Sequence, residues 1–483
     1  MPIPMTQIPR NLLVPGMYNE IDNSLAGTQE DVKKVLLIGH KTAGSPAEPG
    51  KPIQVLNKAK AAEQTGHGSH LAIMAEAFLD INKTEECWLL PVAEPANGTA
   101  WRQSFAVESS GTEGTIDVVV NGREFTARCS NGAAPAETAA AIVARINGEL
   151  GLPVEASVDA DGAFTVTALV KGVTGNYNRV SFFSKATTIT SGKAVTGTGT
   201  AAITEALAGL GEVRYRYMVS EFNDAANLAV LSGELESRYS ALRQIGGRAF
   251  VALTGELGSA TEAGSLLYQA AVVNSPHIVF IPRFDNPRLP CEWAARFAAA
   301  AVTHLAADPA ANTYELKVDG ITAAAVPDFD TRQKLLEYGI STWKRDARGN
   351  VLIERLVTSY TENADGARDT SYLDIQVPET VDAVRTCINA EAKKRFKSWK
   401  LASTEENFGG GARVMTAGVF RSFLADLYQN VFIQEKQWCQ DFAAYKDSIE
   451  VEVKKDSKTR LEYRHEPNLI DQFLIGAGIT QFR

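Results

Sequence analysis

Residues 32–40 read VKKVLLIGH, a run of aliphatic and β-branched residues without polar alternation. That is the pattern of a strand buried on both faces. Ser69 stands where an N-cap belongs, and Leu71, Met74, Ala75 and Phe78 follow at i, i+3, i+4 and i+7, which predicts a capped amphipathic helix. CWLLPVAE (87–94) is the next buried strand. Strand, helix and strand in this order begin a parallel α/β sheet with right-handed crossovers.

The same rhythm resumes far downstream. YRYMVSEF (215–222), RAFVALTG (248–255) and HIVFIPRF (277–284) read as strands. Helices between and after them carry Ala226, Leu228, Leu231, Leu235 and Leu242, then Leu266, Leu267 and Ala270, then Trp293 to Leu305. Residues 95–208 differ, being rich in Gly, Thr, Ala and Val. GTIDVVVNGREFTARCS (114–130) is a hairpin turning at Asn121-Gly122, APAETAAAIVARINGEL (134–150) is a helix, and VEASVDADGAFTVTALV (154–170) is a hairpin turning at Asp161-Gly162. TSGKAVTGTGTAA (190–202) reads as a small-residue linker. The α/β unit is therefore split, with a small α+β domain inserted.

The remainder is α+β. Residues 339–361 form a hairpin with a Gly-Asn turn, and Glu379–Trp399 a helix with Val381, Val384, Ile388, Ala392, Phe396 and Trp399 on one stripe. A second stripe joins Val419, Phe423, Leu427 and Val431, followed by strands in SIEVEVKK (448–455) and TRLEYRHE (459–466). Residues 1–27 read as an extended arm, because Pro2, Pro4, Pro9 and Pro15 forbid a helix; its one short strand places Met17 and Ile21 opposite Tyr18. The sequence closes on DQFLIGAGITQFR (471–483), a strand with Phe473, Ile475, Ala477 and Ile479 on one face and Leu474 and Phe482 on the other, and no later segment to cover it.

Composition excludes several classes. The 483 residues carry 48 Lys+Arg against 57 Asp+Glu, a net charge of -9, which argues against a general nucleic-acid binder. From Glu379 onward 16 basic residues face 15 acidic ones, so this part carries +1 and the rest -10. No apolar run reaches the ~18–20 residues of a membrane span, and the start lacks the basic, apolar pattern of a signal peptide. Five widely spaced cysteines without a C-x-x-C read as buried free thiols.

No catalytic constellation emerges. GSPAEPGKP (44–52) has the wrong glycine spacing for a phosphate loop and places Pro52 where Mg²⁺ needs a hydroxyl. GTGTAA (197–202) follows no clear strand. His67 and His70 in GHGSH form a pair without a third ligand nearby and read as a helix-entry loop; His40, His277, His304 and His465 stand isolated. Glu405-Glu406 reads as a solvated turn and NFGGGARV (407–414) as a glycine hinge. KKRFKSWK (393–400) is the strongest basic cluster, with Phe396 and Trp399 continuing the apolar stripe and the cations on the opposite face, where an acidic protein partner fits. The expectation is no enzyme, no metal and no cofactor.

Taken together, LLVPGMYNEIDNSLAG (12–27), KVLLIGHKTAG (34–44), the hairpin region 337–375, RFKSWKLAS (395–403), RVMTAGVFRSFLADLY (413–428) and RLEYRHEPNLIDQFLIGAGITQF (460–482) resemble the contractile tail sheath proteins of Mu-like bacteriophages. The inserted domain, with GNYNRVSF (175–182), resembles the outer domain of that family. The resemblance implies an N-terminal arm at 1–27, a split α/β domain at 28–94 and 209–328, an outer domain at 95–208, a tube-facing α+β domain at 329–470 and a donated strand at 471–483. It implies a helical homopolymer around a tail tube protein, capped by baseplate and tail terminator proteins, assembled in the host cytoplasm and resident in the virion. Neither nucleic acid nor membrane insertion is implied. Met17, Tyr18, Ile21, Phe473, Ile475, Ala477, Ile479 and Phe482 would exchange strands between subunits, and Lys393, Lys394, Arg395, Lys397 and Lys400 would face the tube. The rival readings are a nucleotide- or phosphate-handling α/β enzyme and a phage adhesin.

Overall fold

The computed structural model describes residues 33–406, 408, 412–454, 457 and 459–482. The arm with Met17, Tyr18 and Ile21, and the Gly409–Gly411 loop, lie outside the described residues. The protein is a mixed α/β multidomain molecule with several sheets.

The run at 32–40 becomes β1 (Lys34–His40), followed by β2 (Ile53–Val55), α1 (Lys58–Thr65), α2 (His70–Ile81) and β3 (Glu86–Val92). Ser69 caps α2 by accepting the Ala72 amide. The chain then builds two antiparallel sheets. β4 (Ala100–Val107), β7 (Val154–Val158), β8 (Ala163–Lys171) and β10 (Ile189–Ser191) form one; β5 (Gly114–Val120), β6 (Arg123–Cys129) and β9 (Val180–Ser184) form the other. Helix α3 (Pro135–Gly148) shares their core through Ala139, Ile142, Val143 and Ile146. Asn121 and Gly122 both take positive φ, 49° and 74°, as the two-residue turn between β5 and β6 requires.

The segment at 190–202 is not a linker. It runs antiparallel to β4, bridging Val195 to Arg102 and Thr198 to Thr99. Its glycines are small because neighbours crowd them: a Cβ on Gly197 would sit 2.7 Å from the Gly172 carbonyl and 2.8 Å from that of Thr99. The composition that suggests flexibility serves close packing.

After α4 (Thr204–Ala208), the chain adds β11 (Tyr217–Ser220), α5 (Ala225–Tyr239), β12 (Arg248–Leu253), α6 (Leu266–Ala270), β13 (Ile278–Pro282) and α7 (Pro290–Leu305). One sheet results, in the order β13-β12-β11-β1-β3-β2, parallel except for β2. Alternation along β1 sends Val35 and Leu37 to the face covered by α2 and α7, and Leu36 and Ile38 to the face covered by α4, α5 and α6. Ala201, Ile203, Ala206 and Leu207 are buried in this second face. Leu242 lies beyond α5 and is 98% exposed, so it is no part of the stripe assigned from sequence.

β14 (Lys317–Thr322), α8 (Phe329–Glu337), β15 (Thr342–Arg345) and β16 (Asn350–Arg355) follow. β14-β16-β15 is antiparallel and packs Val318, Trp343, Val351 and Ile353 into the same core as α7. Trp343 Nε1 donates to the Pro282 carbonyl at 2.8 Å, fastening this sheet to the end of β13. Helix α9 spans Gln376–Arg395, starting earlier and stopping earlier than its stripe implies. Ser398 at φ 67° turns the chain back, yet Phe396 and Trp399 still reach the last apolar cluster, their rings 4.9 Å apart. That cluster centres on α10 (Ala417–Leu427) and a π-helix at Tyr428–Glu435. The widened turn brings Tyr428 and Phe432 inward, while Val419 stays 37% exposed.

Candidate functional site

Three places gather the chemistry and the exposed surface. The first is a buried ionic network where α9 meets the sheet. Arg216 precedes β11 and Arg248 opens β12, so both lie at the N-terminal edge of the parallel strands. Arg216 Nε donates to Glu379 Oε2 at 3.0 Å, Tyr217 Oη donates to the same oxygen at 3.0 Å, and Arg248 Nε lies 3.4 Å from Glu379 Oε1. Asp382 Oδ2 accepts from Arg214 and Arg216, and Oδ1 accepts from Arg385 at 2.6 Å. Glu379 and Asp382 are fully buried. Burial alone would raise the Asp382 carboxyl, but Arg216, Arg214, Arg248 and Arg385 outweigh it and hold the group below the usual range. One turn further on, Val384 and Ile388 enter the last apolar cluster. α9 thus rivets the α/β sheet to the C-terminal region.

His277 borders this network. Arg248 Nη1 lies 3.2 Å from Nδ1, and Nε2 lies 3.0 Å from Glu236 Oε2. An arginine can only donate, so Nδ1 must carry a lone pair and the ring is neutral, with its proton on Nε2. Burial first and Arg248 second lower its pKa to about 3, against the pull of Asp382. The folded state therefore binds fewer protons than the unfolded state between pH 3 and 6.5, and stability falls as pH drops through that window. The expected loss is about 2 kcal/mol by pH 5. Urea unfolding at pH 7 and pH 5 measures it; a His277 ring that titrates near pH 6 by NMR would refute it.

The second place is the C-terminal edge of the sheet. β1 sends its chain to one face through α2, and its neighbour β11 to the other through α5. Such a reversal opens the crevice in which open α/β sheets bind ligands. Here the protein fills it. The single helical turn Val173–Tyr177 of the insert lies across it, Thr174 and Gly175 being buried. Thr174 Oγ1 lies 3.5 Å from His40 Nδ1, and Thr254 Oγ1 lies 3.3 Å from Tyr177 Oη. Beneath the roof Glu221 Oε1 lies 2.9 Å from His40 Nδ1 and 2.5 Å from His70 Nδ1. Oε2 accepts the His40 amide at 2.8 Å. Burial would raise the Glu221 carboxyl, but His40 and His70 hold it well below its usual value. His40, read as isolated, is therefore paired, and His70 meets His40 and Glu221 rather than His67. Spacings of 30 and 181 residues hid the cluster; only the topology, which ends β1 and β11 side by side, brings it together. Beside the crevice a cavity of about 710 Å³ follows β3, with Glu94 and Glu205 its sole titratable lining groups.

The third place is surface. Phe473, Ile475, Ile479 and Phe482 are 84, 80, 90 and 94% exposed, and Ala477 is exposed beside them. Residues 470–482 take no regular structure and are tethered where Gln472 Nε2 donates to the Ala310 carbonyl and Asn312 Nδ2 to that of Phe473. Lys393, Lys394, Arg395, Lys397 and Lys400 are all exposed at and beyond the end of α9. Arg395 is engaged by Glu391 and Asp426, each at 3.1 Å. Among the described residues no carboxylate lies within ion-pairing distance of the four lysines. Nor, among them, is any helix long and apolar enough to cross a membrane. All five cysteines are unpaired.

Along its whole length the chain is similar to a protein of the contractile-tail sheath class. That relative is the Mu-like prophage FluMu tail sheath protein of Haemophilus influenzae (strain ATCC 51907 / DSM 11121 / KW20 / Rd), 28% identical over 494 aligned residues that cover 100% of both chains. No family model matches. Among solved structures, the sheath tail protein from Desulfitobacterium hafniense aligns with a TM-score of 0.48 at 12% identity, over 94% of this chain and 100% of that one. The anti-feeding prophage helical sheath in the contracted state aligns at 0.47 and 11%, over 97% and 99%.

Proposed function

We propose that this chain is the structural subunit of a phage contractile tail sheath. Copies polymerise helically around the tail tube, and contraction drives the tube through the host envelope. The similarity to the FluMu tail sheath protein carries this reading, because it runs end to end through both chains. The roofed crevice supports a structural rather than an enzymatic role: the place where an α/β enzyme binds its substrate is occupied by the protein's own backbone and by Thr174. Negative-stain microscopy of the purified chain tests the reading. Long hollow cylinders are expected; closed trimers or monodisperse particles under all assembly conditions would overturn it.

In this reading the described residues up to 94 and the stretch from 201 to 328 form the α/β body, since Ala201 to Leu207 pack with α5. The stretch between is an outer domain, and residues 329–470 lie toward the tube. The arm at 1–27, with Met17, Tyr18 and Ile21, and the stretch 471–483 exchange strands between neighbouring subunits. The tube, baseplate and terminator proteins are the partners, and the virion tail is the location. The exposed lysines 393, 394, 397 and 400 meet the tube, with Lys436 and Lys446 as rivals. Changing those four lysines to glutamate is expected to leave tube-free sheath polymers intact and to abolish assembly on tubes. Cosedimentation with purified tubes reads this out; unchanged assembly on tubes, or loss of self-polymerisation alone, removes the cluster from the tube contact.

A further inference from the structure

The polymer reading makes no use of His40, His70 and Glu221, yet their geometry is specific. Among the described residues they alone form a His/Cys/Asp/Glu group whose ligand atoms all lie within 4.8 Å of one another. We propose that they form, with the Thr174 hydroxyl, a closed structural site for a divalent cation of the zinc type. The inference is independent of the polymer reading.

Two imidazoles from different elements aim their Nδ1 atoms at one carboxylate oxygen, at 2.9 and 2.5 Å. The other carboxylate oxygen is held by the His40 amide, so the orientation of Glu221 is fixed from behind. Thr174 Oγ1 stands 3.5 Å from His40 Nδ1, at the outer limit of a hydrogen bond. A tetrahedral ion with bonds of about 2.0–2.2 Å separates its ligand atoms by roughly 3.3–3.6 Å. The Thr174–His40 separation already matches that edge, and the two nitrogen–oxygen separations fall short of it by roughly 0.4–1.1 Å, which side-chain rotations supply.

Two imidazole N–H groups can share one carboxylate oxygen, so the same atoms form a hydrogen-bonded cluster when no ion is bound. His40 Nε2 and His70 Nε2 are both buried without a partner. These are the far nitrogens of the two rings, so they lie outside the proposed coordination sphere, whose imidazole ligand atoms are Nδ1. A cation would enter between the two Nδ1 atoms and Glu221 Oε1 and replace the protons that they share. The donor set selects the ion: two imidazoles and a carboxylate suit zinc or a neighbouring transition metal, while calcium and magnesium require a shell of six or more oxygens that is absent here. Gly39 is also required, since a Cβ there would lie 2.9 Å from Glu221 Oε2 and 3.1 Å from Met74 Sδ. With every ligand buried under Val173–Tyr177, no coordination position opens to solvent. The role is to pin β1, β11, α2 and the insert together.

The test uses the full-length chain without a histidine tag, stripped with a chelator and dialysed. Elemental analysis after incubation with zinc is expected to find one equivalent per chain. Zinc in about 100-fold excess over its dissociation constant should raise Tm by several degrees. His40→Gln and His70→Gln should abolish both effects, His67→Gln should leave them intact, and Thr174→Ala should weaken binding by about tenfold or more. Should the histidine variants fail to fold, the parent loaded with cobalt decides, through the intense visible bands of a tetrahedral nitrogen–oxygen site. No stoichiometric zinc and no shift in Tm, a weak octahedral cobalt spectrum, or equal binding by His70→Gln overturns the proposal.

Discussion

A chain shortened to end at Ile475 is expected to remain a folded, soluble subunit and to lose polymerisation. The residues removed include Ile479 and Phe482, which are almost fully exposed and contribute nothing to any core in the isolated subunit. The tether through Gln472 and Asn312 survives, so the preceding structure keeps its contacts. If this stretch adds a strand to a neighbour, about four main-chain hydrogen bonds at roughly 1 kcal/mol each and two buried side chains at about 2 kcal/mol each vanish from every contact. That is several powers of ten in association. Circular dichroism should show an unchanged fold, and sedimentation should show a monomer. Normal cylinders from the shortened chain would end the strand-exchange reading.

Asp382→Asn is expected to be the most destabilising single conservative change, costing about 3–5 kcal/mol. Asparagine fits the space but removes the charge on which Arg214, Arg216 and Arg385 converge. Those cations then lie in or near a dry interior with only part of their compensation, Arg216 keeping Glu379. The damage is not local, because the same helix enters the ionic network at Asp382 and the last apolar core at Val384. Urea unfolding at pH 7 reads the loss, and a value under 1 kcal/mol would mean that water already screens the network. Acid acts similarly: the Asp382 pKa is depressed in the folded state, so its contribution is present above about pH 3.9 and is lost as pH falls through the folded-state value.

Elements whose signals are local were legible in the sequence. The aliphatic run of β1, the Ser69 cap and the Asn121-Gly122 turn each depend on a few neighbouring residues, and each lies where its pattern places it. β2, β4 and β14 carry weaker signals, because short or half-exposed strands acquire their pairing from partners distant in sequence. α9 shows how a correct stripe can give a wrong boundary: Phe396 and Trp399 are buried as the spacing implies, but by a turn at Ser398. The run near residue 480 was legible as apolar from its composition, and the structure shows it exposed. The His40–His70–Glu221 cluster was not legible, since no periodicity relates positions on β1, α2 and β11. Nor was the arginine network, whose carboxylates lie more than 160 residues from Arg216. Both exist only once the sheet has closed.

The strand order also governs how the chain is made. β1 pairs with β3 on one side, but its other neighbour is β11, beyond the inserted stretch. At roughly 5–20 residues per second during synthesis, the approximately 125 residues between β3 and β11 take about 6–25 s to emerge. Throughout that interval the Val35–Ile38 edge, the most aliphatic in the protein, has no partner and can recruit the same strand from another nascent copy. The insert folds within its own two antiparallel sheets during this time. Its length therefore sets how long the β1 edge stays without its second neighbour.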